Sequence, residues 1–140
     1  MAAAVVAAIG VLTTSGCATP ATPGALSASF TETFTGLYAG QQKQLGRTDV
    51  DRDALHAQGT CRRSGGAPEG PGEDWVCLVQ YDDADTSATQ SFEVQMKPDG
   101  CWKAEGPPTV QPPRLTNPVT GRVSTNQLAE FDGCLDTAWH

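Results

Sequence analysis

Basic side chains are scarce: nine Lys and Arg stand against sixteen Asp and Glu in 140 residues, a formal net charge of −7. A phosphate-binding surface needs clustered cations, and the longest basic run is the pair Arg62-Arg63, so nucleic acid is excluded as a partner. Histidine occurs only at His56 and His140, which leaves few bases for nucleophilic catalysis. The apolar run Ala2 to Leu12 has eleven residues, where a bilayer span needs about 20. The patterns G-x-S-x-G, H-E-x-x-H and the P-loop are missing, and Gly65-Gly66 is not followed by the Lys-Ser or Lys-Thr of a phosphate loop. Length excludes a two-lobed enzyme, and 39% hydrophobic residues with 15 Gly and 10 Pro predict a modest core with much loop.

Charge is also missing from the N-terminus, where residues 1 to 29 carry none and no basic residue precedes Lys43. The apolar run followed by Thr13-Thr14-Ser15-Gly16-Cys17 has the form of a secretory signal core and its exit. Thr14-Ser15-Gly16-Cys17 resembles the bacterial lipobox, in which two small residues precede a cysteine that takes a diacylglycerol thioether and becomes the mature N-terminus. Thr14 stands where that pattern usually has Leu, and the orienting Lys or Arg is not there. The second departure is the one expected of a chain begun at an internal methionine. The resemblance implies Cys17 as the lipidation site, with residues 1–16 a signal peptide truncated at its start. It also implies a lipidated, flexible tether over 17–28 (CATPATPGALSA) and an exported domain over 29–140. A buried helix or apolar tail over residues 2 to 12 is the competing reading.

Five cysteines is an odd count for an oxidising compartment. With Cys17 acylated, Cys61, Cys77, Cys101 and Cys134 form an even set with three connectivities, of which sequence proximity favours Cys61 with Cys77 and Cys101 with Cys134. A zinc site would want two closely spaced pairs, which this spacing does not supply. No metal or other cofactor is expected.

Ser29-Phe30-Thr31-Glu32 has capping-box form, and Phe30, Phe34, Leu37, Tyr38 and Leu45 follow at helical spacing with Gly46 as the stop, predicting an amphipathic helix over 30–45. A strand is predicted over 55–61, with a short helix from Thr48 as the rival, and a Gly- and Pro-dense loop over 62–72. A central strand over 75–82 turns Trp75, Cys77, Val79 and Tyr81 to one face. Ser91 to Lys97 alternates strictly, with Phe92, Val94 and Met96 inward. Pro98-Asp99-Gly100 is a turn leading to a partner strand over 101–105. Five prolines make residues 106–118 an extended crossing, and a last strand runs over 131–135. The sum is an α+β domain, one N-terminal helix on a four- to five-stranded antiparallel sheet with two disulfides.

Asp49, Asp51 and Asp53 begin like a calcium loop, but Ala54 and Thr60 occupy positions that need Gly and Glu, so a solvated acidic turn is the better reading. No nucleophile has a positioned partner, and the chain reads as a non-enzyme. Trp75 and Trp102 suit a core beside disulfides, while Trp102 and Trp139 are the candidates for an exposed interaction surface.

The motifs GEDWVC (72–77), Phe92-Glu93-Val94, Asp99-Gly100-Cys101-Trp102 and Glu130-Phe131-Asp132-Gly133-Cys134 resemble a family of small uncharacterised actinobacterial secreted lipoproteins, across most of residues 30–136. The resemblance implies a cell-surface address and a lipid link to the membrane. The function expected is a tethered extracytoplasmic binding or interaction module for an unknown envelope protein or ligand, with loops 62–74 and 106–118 as contact surfaces. The alternatives are a structural envelope protein without a small ligand, or an accessory to a cell-wall enzyme or ABC transporter.

Overall fold

The computed structural model describes residues 20–135, so Cys17 and Trp139 lie outside the described residues. One helix, α1 (Pro23–Gln44), and a short 3-10 turn at Asp53–Leu55 precede seven strands: β1 (Gln58–Arg63), β2 (Gly72–Asp83), β3 (Thr86–Met96), β4 (Cys101–Glu105), β5 (Arg114–Thr116), β6 (Val123–Thr125) and β7 (Glu130–Cys134). Five of them form one antiparallel sheet in the order β1-β2-β3-β4-β7, and β5 with β6 forms a separate ribbon. This is the α+β architecture that the periodicities predict.

The helix begins earlier than its capping-box signature indicates. Thr22 is the N-cap, its hydroxyl oxygen accepting the Ala25 amide at 3.1 Å, and Pro23 takes the first helical position, where its missing N–H is no loss. Residues 23–28 of the expected tether are therefore the first turns of α1. At the other end Gly46, with φ 86°, lets the Arg47 amide reach the Gln42 carbonyl and its own amide reach that of Lys43, a Schellman closure. Leu26, Phe30, Phe34 and Tyr38 repeat every four residues and point one stripe at the sheet.

Beneath that stripe lie Trp75, Cys77, Val79 and Tyr81 of β2 and Phe92, Val94 and Met96 of β3, all buried on the inward parity. Trp102 and Phe131 complete an aromatic core with ring centroids 4.8–6.3 Å apart. Trp102 is fully buried, which removes it as an interaction surface. Its indole reaches Ser29 on α1 and the flat spot left by Gly133, where a Cβ would come within 2.5 Å of the ring.

Both disulfides form, Cys61–Cys77 and Cys101–Cys134, each between residues directly opposite across an antiparallel pair. The first bridge lies in the core under α1, and the second lies on the solvent-facing side of the sheet. β1 starts at Gln58 rather than at residue 55, because Asp53–Leu55 turns once and His56 adopts φ 45° before the chain extends. Within residues 106–118, Arg114–Thr116 pairs with Val123–Thr125, so the crossing carries a short hairpin that proline content conceals.

Candidate functional site

The face of the sheet turned away from α1 is polar and open. Alternation puts Arg62, Val76, Glu93, Glu105 and Glu130 on it, and the strand registers align all five in one row across β1, β2, β3, β4 and β7. Three of these neighbours are glutamates. Like charges directly opposite in a sheet repel, so the row is an electrostatic cost that packing alone does not demand. Lys103 relieves part of it: its Nζ lies 2.8 Å from Glu130 Oε1 and 3.4 Å from Glu105 Oε1, and the Glu130 hydrogen bond chiefly holds the ammonium above its ordinary pKa. Glu93 has no ion-pair partner among the described residues.

A cleft of about 780 Å³ opens beside this row. Ser91, Glu93, Glu105 and Glu130 form its sheet side, and Pro107, Pro108 and Pro113 form the facing wall. The wall is tied down. The Gly106 amide donates to the Ala129 carbonyl, the Gln111 amide to Pro107, and the Asn126 amide to Pro113.

Behind the wall sits a chain of side-chain amides. Buried Asn126 donates to Gln111 Oε1 (2.9 Å) and the Pro112 carbonyl (2.8 Å) while its Oδ1 accepts the Leu128 amide. Gln111 donates on to Gln90 (2.5 Å), and Gln90 to the Tyr81 hydroxyl (2.6 Å). Satisfied buried amides hold a surface in one shape, so the cleft is built before any occupant arrives.

Of loop 62–74, the other expected contact surface, Arg62 and Arg63 end β1 and Gly72 to Asp74 begin β2, so the connection itself is residues 64–71, and its ends are tied together. Arg63 grips Asp74 Oδ1 through Nε (3.0 Å) and Nη2 (2.7 Å) and keeps its carboxyl below the ordinary range, and the Trp75 indole donates to the Gly70 carbonyl. A second charged cluster joins the C-terminal end of α1 to the β2–β3 hairpin: Arg47 binds Asp83 through Nη1 and Nη2, at 2.8 and 2.5 Å, and Tyr38 donates its hydroxyl to the same carboxylate. Arg47 lowers the Asp83 pKa, and burial pushes Tyr38 and Tyr81 up. Both clusters are internally matched and fasten elements together. His56 is exposed, with Nδ1 3.4 Å from Asp82. Among the described residues no three His, Cys, Asp or Glu side chains gather as a metal site would require.

Of the residues singled out from sequence, the four domain cysteines meet in their bridges and Trp102 is withdrawn into the core. Glu93, Glu105 and Glu130 were not singled out. Their alignment was nonetheless encoded: a hairpin turning about Asp99 sets Glu93 opposite Glu105, and a bridge between opposed Cys101 and Cys134 sets Glu105 opposite Glu130. No protein-family model, curated protein or solved structure matches this chain.

Proposed function

We propose that the protein is an exported lipoprotein, held to the outer face of a cell membrane by acylated Cys17, whose domain binds a partner in the cleft between the sheet and the 106–113 wall. The observation that carries the reading is the cleft itself, a pre-formed concavity with proline on one side and three aligned glutamates on the other. All four cysteines of the described domain are bridged, which fits an oxidising compartment and leaves Cys17 as the odd thiol of five.

Two measurements test it. Mass spectrometry of the protein from its native membrane is expected to find diacylglycerol on Cys17 and no free thiol. A photo-crosslinking residue at Pro108 is expected to capture one partner from the envelope, whereas the same residue at Gln58, on β1 at the opposite edge of the sheet, captures none. An unacylated Cys17 sinks the address, and equal labelling from both positions sinks the site. The rival reading, a structural envelope protein without a ligand, predicts no capture at Pro108.

A further inference from the structure

We propose that the cleft takes an extended cationic peptide, which joins the sheet as a strand on the free edge of β3, in line with β4. This inference rests on the cleft being the binding site and names its occupant. β3 spans eleven residues, yet β4 pairs only with its Glu93–Met96 portion. Thr86 to Phe92 therefore have β2 on one side and no strand on the other.

The direction of the backbone groups follows from the first disulfide. Cys61 and Cys77 are opposed with Cα atoms 4.1 Å apart, the spacing of a narrow, non-hydrogen-bonded pair. The Cys61 amide accordingly points away from β2, donating to Ser27 Oγ. Cys77 must then bond toward β3 at Phe92, and alternation turns the N–H and C=O groups of Ser87, Thr89 and Ser91 to the open side. All three residues are exposed, and no hydrogen bond to those backbone groups occurs among the described residues.

The two outer edges of the sheet are partly capped by α1. On β1 the Gly59 and Cys61 amides donate to Thr31 and Ser27 hydroxyls of α1, and on β7 the Cys134 carbonyl accepts from Ser29. Ser87 to Ser91 (SATQS) has none of the usual guards, neither Lys, Pro nor a bulge. Such an edge is a template for a strand from another chain.

The cleft adjoins it at Ser91 and Glu93. There β4 ends at Glu105 and the chain bends away at Gly106, leaving room along the line that β4 vacates. Pro107, Pro108 and Pro113 cannot donate backbone hydrogen bonds and so do not compete for the edge. Against the three carboxylates of Glu93, Glu105 and Glu130 stands one ammonium, Lys103, which pairs only with the last two, so the complementary peptide carries Lys or Arg where it meets that row. Pairing from Ser87 to Ser91 fits about five residues, roughly 17 Å of extended chain.

The test is titration of the isotope-labelled, oxidised intact chain with capped hexapeptides of alternating Val and Thr. One peptide ends in Lys at both termini, one in Glu, and one is the Lys peptide with alternate amides N-methylated. Expected are shifts of the Ser87, Thr89 and Ser91 amide resonances, slower exchange at those amides, and about tenfold tighter binding of the Lys than of the Glu peptide. Glu93→Gln with Glu105→Gln should erase that preference without altering the rest of the spectrum. Equal binding of the N-methylated peptide overturns strand addition. So do shifts confined to the Gln111 and Asn126 side chains, an outcome that leaves the cleft a binding site. Exchange protection of Ser87–Ser91 without peptide, growing with protein concentration, would assign the edge to a second copy and overturn the proposal. Absence of any shift also overturns it, while crosslinking at Pro108 judges the broader reading separately.

Discussion

Ser29 does at the residue scale what its sequence context does not announce. Its hydroxyl oxygen accepts the Trp102 indole N–H at 2.9 Å and donates to the Cys134 carbonyl at 3.2 Å, joining α1 to β4 and β7. Ser29→Ala leaves the buried indole without an acceptor and should lower stability by about 1–3 kcal/mol, read from urea unfolding followed by tryptophan fluorescence. Asp83 makes the analogous join at the other end of the helix. Its carboxyl pKa is lowered mainly by the Arg47 hydrogen bonds, so the folded state binds fewer protons than the unfolded one in acid. The stabilisation is complete above the unfolded carboxylate value near pH ~4 and is lost as pH falls through the lower folded value. Melting temperature should therefore drop on acidification below about pH 4, and Asp83→Asn should shrink that drop while lowering stability at neutral pH by roughly 1–2 kcal/mol. Ala84, with φ 53° in the two-residue β2–β3 turn, sits in a region that disfavours a Cβ. Ala84→Gly should raise stability by up to about 1 kcal/mol in the same assay.

At the scale of elements the disulfides set register as well as limiting the unfolded chain. They close separations of 16 and 33 residues, worth roughly 3 and 4 kcal/mol in the chain-entropy picture. Replacing Cys101 and Cys134 together by Ser should lower the melting temperature accordingly and loosen β7. The short β7 would then show faster amide exchange than β2 or β3, which keep their own long pairing. Gly133 belongs to the same joint. Gly133→Ala forces a Cβ into the Trp102 ring and should cost about 1–3 kcal/mol, with a shifted tryptophan emission as its signature.

For the whole molecule, charge and address are linked. Every charged residue lies beyond residue 29, so the excess of −7 belongs to the domain, which an anionic membrane surface repels. Under the proposed anchoring the lipid on Cys17 must do the holding, and Cys17→Ser is expected to move the protein from the membrane to the soluble fraction on cell fractionation. The same acidity, focused in the Glu93, Glu105 and Glu130 row, favours a basic occupant over an acidic one at the cleft.

Much of this fold was legible in the sequence because its signals are local. Phe92, Val94 and Met96 alternate along one strand, Phe30, Phe34 and Tyr38 recur every four residues, and Pro98-Asp99-Gly100 turns the chain upon itself. Cysteine proximity favoured, among three connectivities, the two bridges that form. The helix start was misplaced because the capping box at Ser29 is a local pattern that tertiary contacts redirect: Ser29 serves Trp102, and Thr22-Pro23 caps instead. The burial of Trp102, the cleft beside the glutamate row and the open edge of β3 belong to another kind of information. They depend on how many residues of one strand meet another, and on what lies across the sheet from them. By itself the sequence determined the main elements and the α+β class and favoured the cysteine pairing that forms, since each follows from periodicity or spacing along the chain. The sequence also held the glutamate register, through the Asp99 turn and the cysteine spacing, but only tertiary structure decided which backbone groups stay free and which face opens as a cleft, because strand overlap and the path of residues 106–113 are fixed between segments far apart in sequence.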